Sequence, residues 1–142
     1  MPAAISLITL GVADVPVATA FYQRLGFRLS SASVPGEVSF FHTAGGLLAV
    51  WGAASLAADA GLAPSPPGFS GVSLAINVGS REAVDAALAV ASAAGASITR
   101  AAEATDWGGY NGYFADPDGH AWEVAHNPGW PLNEAGLPEL PI

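Results

Sequence analysis

The stretch ISLITLGVADVPVATAFYQRLGF, residues 5–27, holds a strand, a cap, a helix and a stop in that order. Ile5 to Val12 is a short apolar run rich in β-branched residues, long enough for a strand buried on both faces. Asp14 reads as a helix N-cap, with Val15 and Pro16 in the first turn, where a missing N–H costs little. Val17, Ala20, Phe21, Arg24 and Leu25 follow at helical spacing. Gly26 then stands where a left-handed glycine stops a helix. Beyond it, Phe27 to Ser31, Val38 to Thr43 and Leu47 to Trp51 read as three strands, separated by Pro35-Gly36 and Gly45-Gly46. The unit is βαβββ.

The same order returns after an alanine-rich segment (Ala53 to Ala63) and a connector holding Pro64, Pro66, Pro67 and Gly68. Val72 to Val78 reads as a strand, and Ser80 as the cap of a helix whose Val84, Ala87, Leu88 and Ala91 share a face. Gly95 closes that helix as Gly26 closes the first. Strands near Ile98, Tyr110 to Phe114 and His120 to Ala125 complete a second βαβββ unit. Setting Gly26 on Gly95 places Leu25 on Ala94 and Leu29 on Ile98, a period of about 70 residues that reads as an internal duplication. The expected fold is therefore α+β, a single domain over 1–142. Its first module spans 4–52, a linker 53–69, a second module 70–126 and a Pro-rich tail 127–142. The tail, with Pro128, Pro131, Pro138 and Pro141, should be extended and pinned by Trp130.

Composition narrows the function. The chain has 142 residues, no cysteine, four basic residues against twelve acidic ones and a net charge of −8. With 51% hydrophobic and 11% charged residues it is a folding chain, long enough for a core without disulfides. The basic residues are Arg24, Arg28, Arg81 and Arg100, too scattered to neutralise a phosphate backbone or an anionic lipid surface, so neither nucleic acid nor membrane is expected as a partner. Lacking cysteine, the chain has no thiolate nucleophile or zinc–thiolate site. No Lys or Arg precedes the apolar start and the run meets Asp14 and Pro16, unlike a signal peptide; a cytoplasmic location is the default expectation.

Among candidate residues, Glu123 sits between Trp122 and Val124 as a half-buried strand residue would, and reads as a general base, a hydrogen-bond acceptor or a locally satisfied carboxylate. His42 closes an aromatic strand and reads as packed more readily than catalytic. His120 and His126 flank a strand and read as structural. Asp116 and Asp118 lie in Asp-Pro-Asp-Gly, a turn whose Asp side chains bond backbone N–H groups. Trp107, Gly108, Gly109, Tyr110, Asn111 and Tyr113 form the most suggestive cluster. Two adjacent glycines permit unusual backbone and close ligand approach, and the aromatics offer flat faces with polar handles. Trp51 and Trp122 lie on strands and suit either a core or a cavity floor.

The duplicated module, with Ala13-Asp14-Val15, Phe21-Tyr22 and Leu25-Gly26-Phe27 early and Phe114-Ala115-Asp116-Pro117-Asp118-Gly119-His120-Ala121-Trp122-Glu123-Val124 late, resembles the vicinal oxygen chelate superfamily. That superfamily includes glyoxalases, extradiol dioxygenases, fosfomycin-resistance enzymes and bleomycin-binding proteins. The run Trp107 to Phe114 is similar to a glyoxalase-like subgroup of unassigned activity. The resemblance implies that each module curls into a half-barrel around a cavity and that the protein is a homodimer. It also implies a divalent metal, held by His, Gln or Glu from the first and last strands of each module. Here the matching positions offer Leu7, then Ser73 with Asn77 further on, then Leu48 to Trp51, and finally Glu123. Only Glu123 is a usual ligand, and metal sites need three or four. His120 and His126 lie at odd separations from Glu123, so His42 is the better spare ligand. The expected cofactor is therefore none; a rebuilt metal site would use Glu123 and His42.

The leading expectation is a metal-free protein that binds or sequesters a small, partly aromatic organic molecule in an apolar cavity, as bleomycin-sequestering relatives do. Glu123, Asn77, Tyr110, Asn111 and His42 would orient the ligand, Trp51 and Trp107 would supply the stacking surface, and Ser73 and Gly109 join them as ligand-binding residues. The alternative is a glyoxalase-like lyase, isomerase or dioxygenase. It would be metal-independent, with Glu123 or His42 moving a proton, or would use an atypical metal site. A third class is an interaction module built on the tail.

Overall fold

A computed structural model describes residues 2–142 of the chain. The elements run β1 (Leu7–Val12), α1 (Val15–Leu25), β2 (Arg28–Leu29), β3 (Val38–His42), β4 (Leu47–Gly52), α2 (Ala53–Asp59), β5 (Ser73–Asn77), α3 (Arg81–Ala94), β6 (Ser97–Ala104), β7 (Tyr110–Ala115) and β8 (Ala121–His126). They form two compact units, Met1–Ser70 and Gly71–Ile142. Each unit holds one four-stranded mixed sheet, ordered β1-β4-β3-β2 in the first and β5-β8-β7-β6 in the second. In both, the first strand pairs in parallel with the last strand of its unit, and the other neighbours are antiparallel. The duplication read from the glycine spacing is thus a duplication of topology.

Local chemistry sets the helices. Asp14 Oδ1 accepts the Val17 N–H at 2.9 Å, and Ser80 Oγ accepts the Ala83 N–H at 3.1 Å. Gly26 and Gly95 end α1 and α3 at φ 106° and 109°, conformations that other residues adopt only with strain. In the first unit α1 buries Phe21 and Tyr22 against the sheet, and Tyr22 meets Phe41 of β3 at 5.7 Å between ring centroids. Ser39, buried beneath α1, pairs with Thr19 Oγ1 at 2.7 Å, so its hydroxyl is satisfied. In the second unit Val84, Leu88, Ala91 and Ala94 are the buried residues of α3. Leu88 comes so close to Gly112 of β7 that a Cβ there would lie 2.6 Å from Leu88 Cδ1 and 3.0 Å from the Ala102 nitrogen. Phe114 and Trp122 stack in parallel at 6.1 Å, which makes Trp122 a core residue.

Three expectations need correction. The linker 53–69 begins with a helix: alanine favours helix, and with Pro64 still ahead the chain forms α2 against β1 and β4. Gly11 lets α2 approach, since a Cβ there would stand 3.2 Å from the Ala53 Cα. β2 is only two residues long, because the chain turns after Ser30, with Ser33 N–H donating to the Ser30 carbonyl. The tail is a small turn rather than an extended strap. Asn133 Oδ1 accepts the Ala135 and Leu137 N–H groups, Leu132 bridges to Pro138, and Trp130 stays 41% exposed. Among the described residues no helix is long and apolar enough to cross a membrane.

Candidate functional site

The chemistry gathers on the face of the second sheet turned away from α3. Residues alternate along a strand, so with Gly112 and Phe114 of β7 facing the helix, Asn111 and Tyr113 face the other way. Tyr113 stands directly across from Glu123 of β8, and Asn111 lies diagonal to it. β6 adds Arg100 and Glu103 through two breaks in register, one between Ile98 and Arg100 and one between Arg100 and Glu103. Without them Arg100 would share the helix-facing side with Ile98, which pairs with Phe114; the first break turns Arg100 over to Tyr113.

These side chains form one connected network. Arg100 Nη1 donates to Glu103 Oε1 at 2.8 Å, and Nη2 donates to Asn111 Oδ1. With its carbonyl occupied, Asn111 turns its Nδ2 to Glu123 Oε1, at 2.7 Å. The Arg100 guanidinium lies 5.3 Å from the centroid of the Tyr113 ring. Burial raises the Tyr113 phenol above its ordinary pKa, and the charge of Glu123 and a hydrogen bond to it add to the rise against the opposing pull of Arg100. The phenol therefore stays protonated at neutral pH and acts as a donor.

In front of the network lies a concavity of about 420 Å³, lined by Arg100, Glu103, Thr105, Trp107, Asn111 and Tyr113 among others. The β6–β7 loop shapes its rim: Thr105 N–H donates to the Gly109 carbonyl, Gly108 N–H to the Thr105 carbonyl, and Gly109 N–H to Thr105 Oγ1. Trp107, 54% exposed, folds back over Gly109. The lining is largely polar, where the sequence led us to expect apolar walls.

The candidates read from the sequence separate accordingly. Trp107, Asn111 and Tyr113 come together at the concavity, with Gly109 beneath the Trp107 ring and Glu123 bonded to Asn111. Tyr110 does not join them. It lies on the helix side, where its hydroxyl donates to Asp85 Oδ1 at 2.7 Å, a bond that raises its pKa, and Arg81 covers its ring. Asn77 and Ser73 lie on β5, where Asn77 pairs with Ala125 and the exposed Ser73 hydroxyl points to the Leu74 carbonyl. His42, exposed on β3, and Trp51, on β4, belong to the first unit. His126 Nδ1 donates to the Val78 carbonyl at 3.1 Å, and Asp116 Oδ1 accepts the Asp118 and His120 N–H groups, both structural roles as expected. Arg100 and Glu103 are the residues that sequence reading missed.

The divalent metal implied by the resemblance finds poor support in these donors. Leu7, Ser73 and Val50 offer no usual ligand, Glu123 already accepts from Asn111, and among the described residues no three His, Asp or Glu side chains gather into a group able to hold a metal ion. The residues present do not fit such a site.

Comparison with known proteins agrees with the fold. Residues 4–124 match the family model of the Glyoxalase/Bleomycin resistance protein/Dioxygenase superfamily. A glyoxalase-related enzyme from Fulvimarina pelagi superposes with a TM-score of 0.87 at 35% identity, over 98% of this chain and 99% of that one. A glyoxalase/bleomycin resistance protein/dioxygenase family enzyme from Burkholderia phytofirmans PsJN gives 0.77 at 25% identity, over 87% and 98%. A lactoylglutathione lyase from Agrobacterium tumefaciens gives 0.70 at 23% identity, over 94% and 100%, a likeness of fold alone. No curated protein matches the chain. With two identically ordered βαβββ sheets and a family match over most of its length, the chain belongs to the glyoxalase/bleomycin resistance protein/dioxygenase superfamily.

Proposed function

We propose that the protein binds a small, partly aromatic organic molecule in the concavity of its second unit, without a metal, and in this way sequesters it. The observation that carries this reading is the pairing of two flat side chains, Trp107 and Tyr113, with an already connected Arg100–Asn111–Glu123 network in one recess. Flat walls give contact area at little cost in rotamer freedom, and a fixed polar network orients what lies between them. Arg100 spends donors on Glu103 and Asn111, whereas Glu103, Asp106 and Thr105 keep acceptor capacity toward the recess. A ligand that donates hydrogen bonds fits this balance.

A panel of planar amines and natural products tests it through tryptophan fluorescence and melting temperature. At least one compound should quench and stabilise the wild type, and Trp107→Ala should weaken that compound about tenfold or more, the scale of one lost stacking contact. A panel without a single hit, or hits indifferent to Trp107, would count against the reading. Native mass spectra recorded before and after adding nickel, zinc, manganese or iron(II) should keep the metal-free mass, and the same spectra report whether the chain is a homodimer. One tight metal per chain would contradict metal-free binding.

A second reading is catalytic, favoured by the likeness to a glyoxalase-related enzyme and by the route from the recess through Tyr113 to Glu123. Here Glu123 is the base and Tyr113 hands on the proton. Glu123→Gln separates the two readings. A binder should keep most of its affinity, while proton transfer should fall by roughly two orders of magnitude or more.

A further inference from the structure

We infer that Gly109 is a specificity-determining residue, because by lacking a Cβ it seats the Trp107 indole at the rim of the concavity. The inference rests on reading that concavity as the ligand site. A Cβ at Gly109 would lie 1.8 Å from Trp107 Cζ3, 2.2 Å from Cη2 and 2.6 Å from Cε3, far inside any permitted contact. The six-membered ring of the indole occupies the space where a side chain would stand.

The two glycines of the loop are needed for different reasons. Gly108 takes φ +85°, a left-handed turn that favours glycine whatever surrounds it. Gly109 has no such backbone demand; it is not among the positive-φ residues, and the three atoms nearest to a Cβ there all belong to the Trp107 indole. The backbone of 105–109 is tied by three hydrogen bonds through Thr105, none of which uses the indole. With Trp107 54% exposed, the ring rather than the backbone gives way when a Cβ is added. Alanine at 109 should therefore leave the fold intact and swing the indole off its seat. That movement would change the width of the recess beside Tyr113 and the surface offered to a planar ligand.

The test labels the four tryptophans with 5-fluorotryptophan and assigns the Trp107 fluorine signal with Trp107→Phe. In Gly109→Ala the Trp107 signal should move toward that of free fluorotryptophan, while those of Trp51, Trp122 and Trp130 stay in place. A Trp107 signal that holds its position overturns the inference. Equilibrium binding of the planar dye 9-aminoacridine provides the second arm. Gly109→Ala and Trp107→Ala should each weaken a wild-type complex about tenfold, and Trp107→Ala/Gly109→Ala should bind no worse than Trp107→Ala alone. Equal binding by wild type and Gly109→Ala overturns the specificity role. If the wild type ignores both this dye and the wider panel, the ligand-site reading fails instead, and the seat stands or falls on the fluorine signal.

Discussion

On β1 and β4 of the first unit, the sheet face turned from α1 presents Leu7, Thr9, Gly11, Leu47, Ala49 and Trp51, joined by Phe40 and His42 of β3. The corresponding face of the second unit presents Asn77 and Glu123 on its parallel pair, Asn111 and Tyr113 on β7, and Arg100 and Glu103 on β6. Strand order and the sense of each pairing are the same in the two sheets, so the polar content of this face does not decide the fold. What the units share is the other face, a helix capped by an oxygen and ended by a left-handed glycine, pressing apolar residues onto the sheet. Once that half of each unit specifies the architecture, the second face is free to vary, and it holds a hydrogen-bonded polar network in the second unit and mostly apolar residues in the first.

Breaking the shared half should cost most. Phe41 and Phe114 are both fully buried in equivalent sheets, and Phe41→Ala and Phe114→Ala should each lose about 3–5 kcal/mol in denaturant melts. A large loss in one unit and a negligible one in the other would show that their cores are not equivalent. Removing Asn111 probes the face that differs. Asn111→Ala strips the bridge between Arg100 and Glu123, and unfolding should register a loss of about 1–3 kcal/mol as these two half-buried charged groups lose a hydrogen-bond partner. No loss would mean that the network adds nothing beyond its separate side chains. The caps allow a finer comparison: Asp14→Ala and Ser80→Ala should each cost about 1 kcal/mol, measured as paired shifts in denaturation midpoint.

The smallest effect is one of pH. The folded Tyr113 phenol holds its proton more tightly than the unfolded one. Folding is favoured while that proton is bound, and stability falls as pH climbs past the ordinary tyrosine value of about 10. Between pH 8 and 11 the wild-type melting temperature should therefore drop further than that of Tyr113→Phe, with Tyr110 contributing equally to both. Parallel curves would show that folding does not raise the Tyr113 pKa.

The frame of the molecule was legible because its signals are local. Asp14, Pro16 and Gly26, echoed by Ser80 and Gly95, need only their own neighbours to act, and the Asp116 turn is closed by its own side chain. α2 escaped because Gly52 gives it no side-chain cap and it buries no residue, so neither a start signal nor an apolar stripe marks it. The candidate site was half legible. Trp107, Asn111 and Glu123 stand out by residue type, whereas Tyr110 was grouped with its neighbour Asn111 although strand alternation sets the two on opposite faces. Arg100 had no such signal, since the register breaks that bring it to Tyr113 depend on how β6 lies along β7. Gly109 carried a signal that pointed the wrong way. A Gly-Gly pair reads as backbone freedom, whereas only Gly108 uses it.

The most direct test of a ligand site on the second unit is a ¹H–¹⁵N spectrum of the labelled protein, titrated with the tightest compound from the planar panel. The four indole N–H signals report Trp51, Trp107, Trp122 and Trp130 separately from the backbone. The Trp107 indole and the backbone amides of 100–113 should shift first and most, while Trp51 and the amides of β1 to β4 stay still. Shifts centred on Trp51 and the first sheet, with Trp107 unmoved, would contradict a ligand site on the second unit.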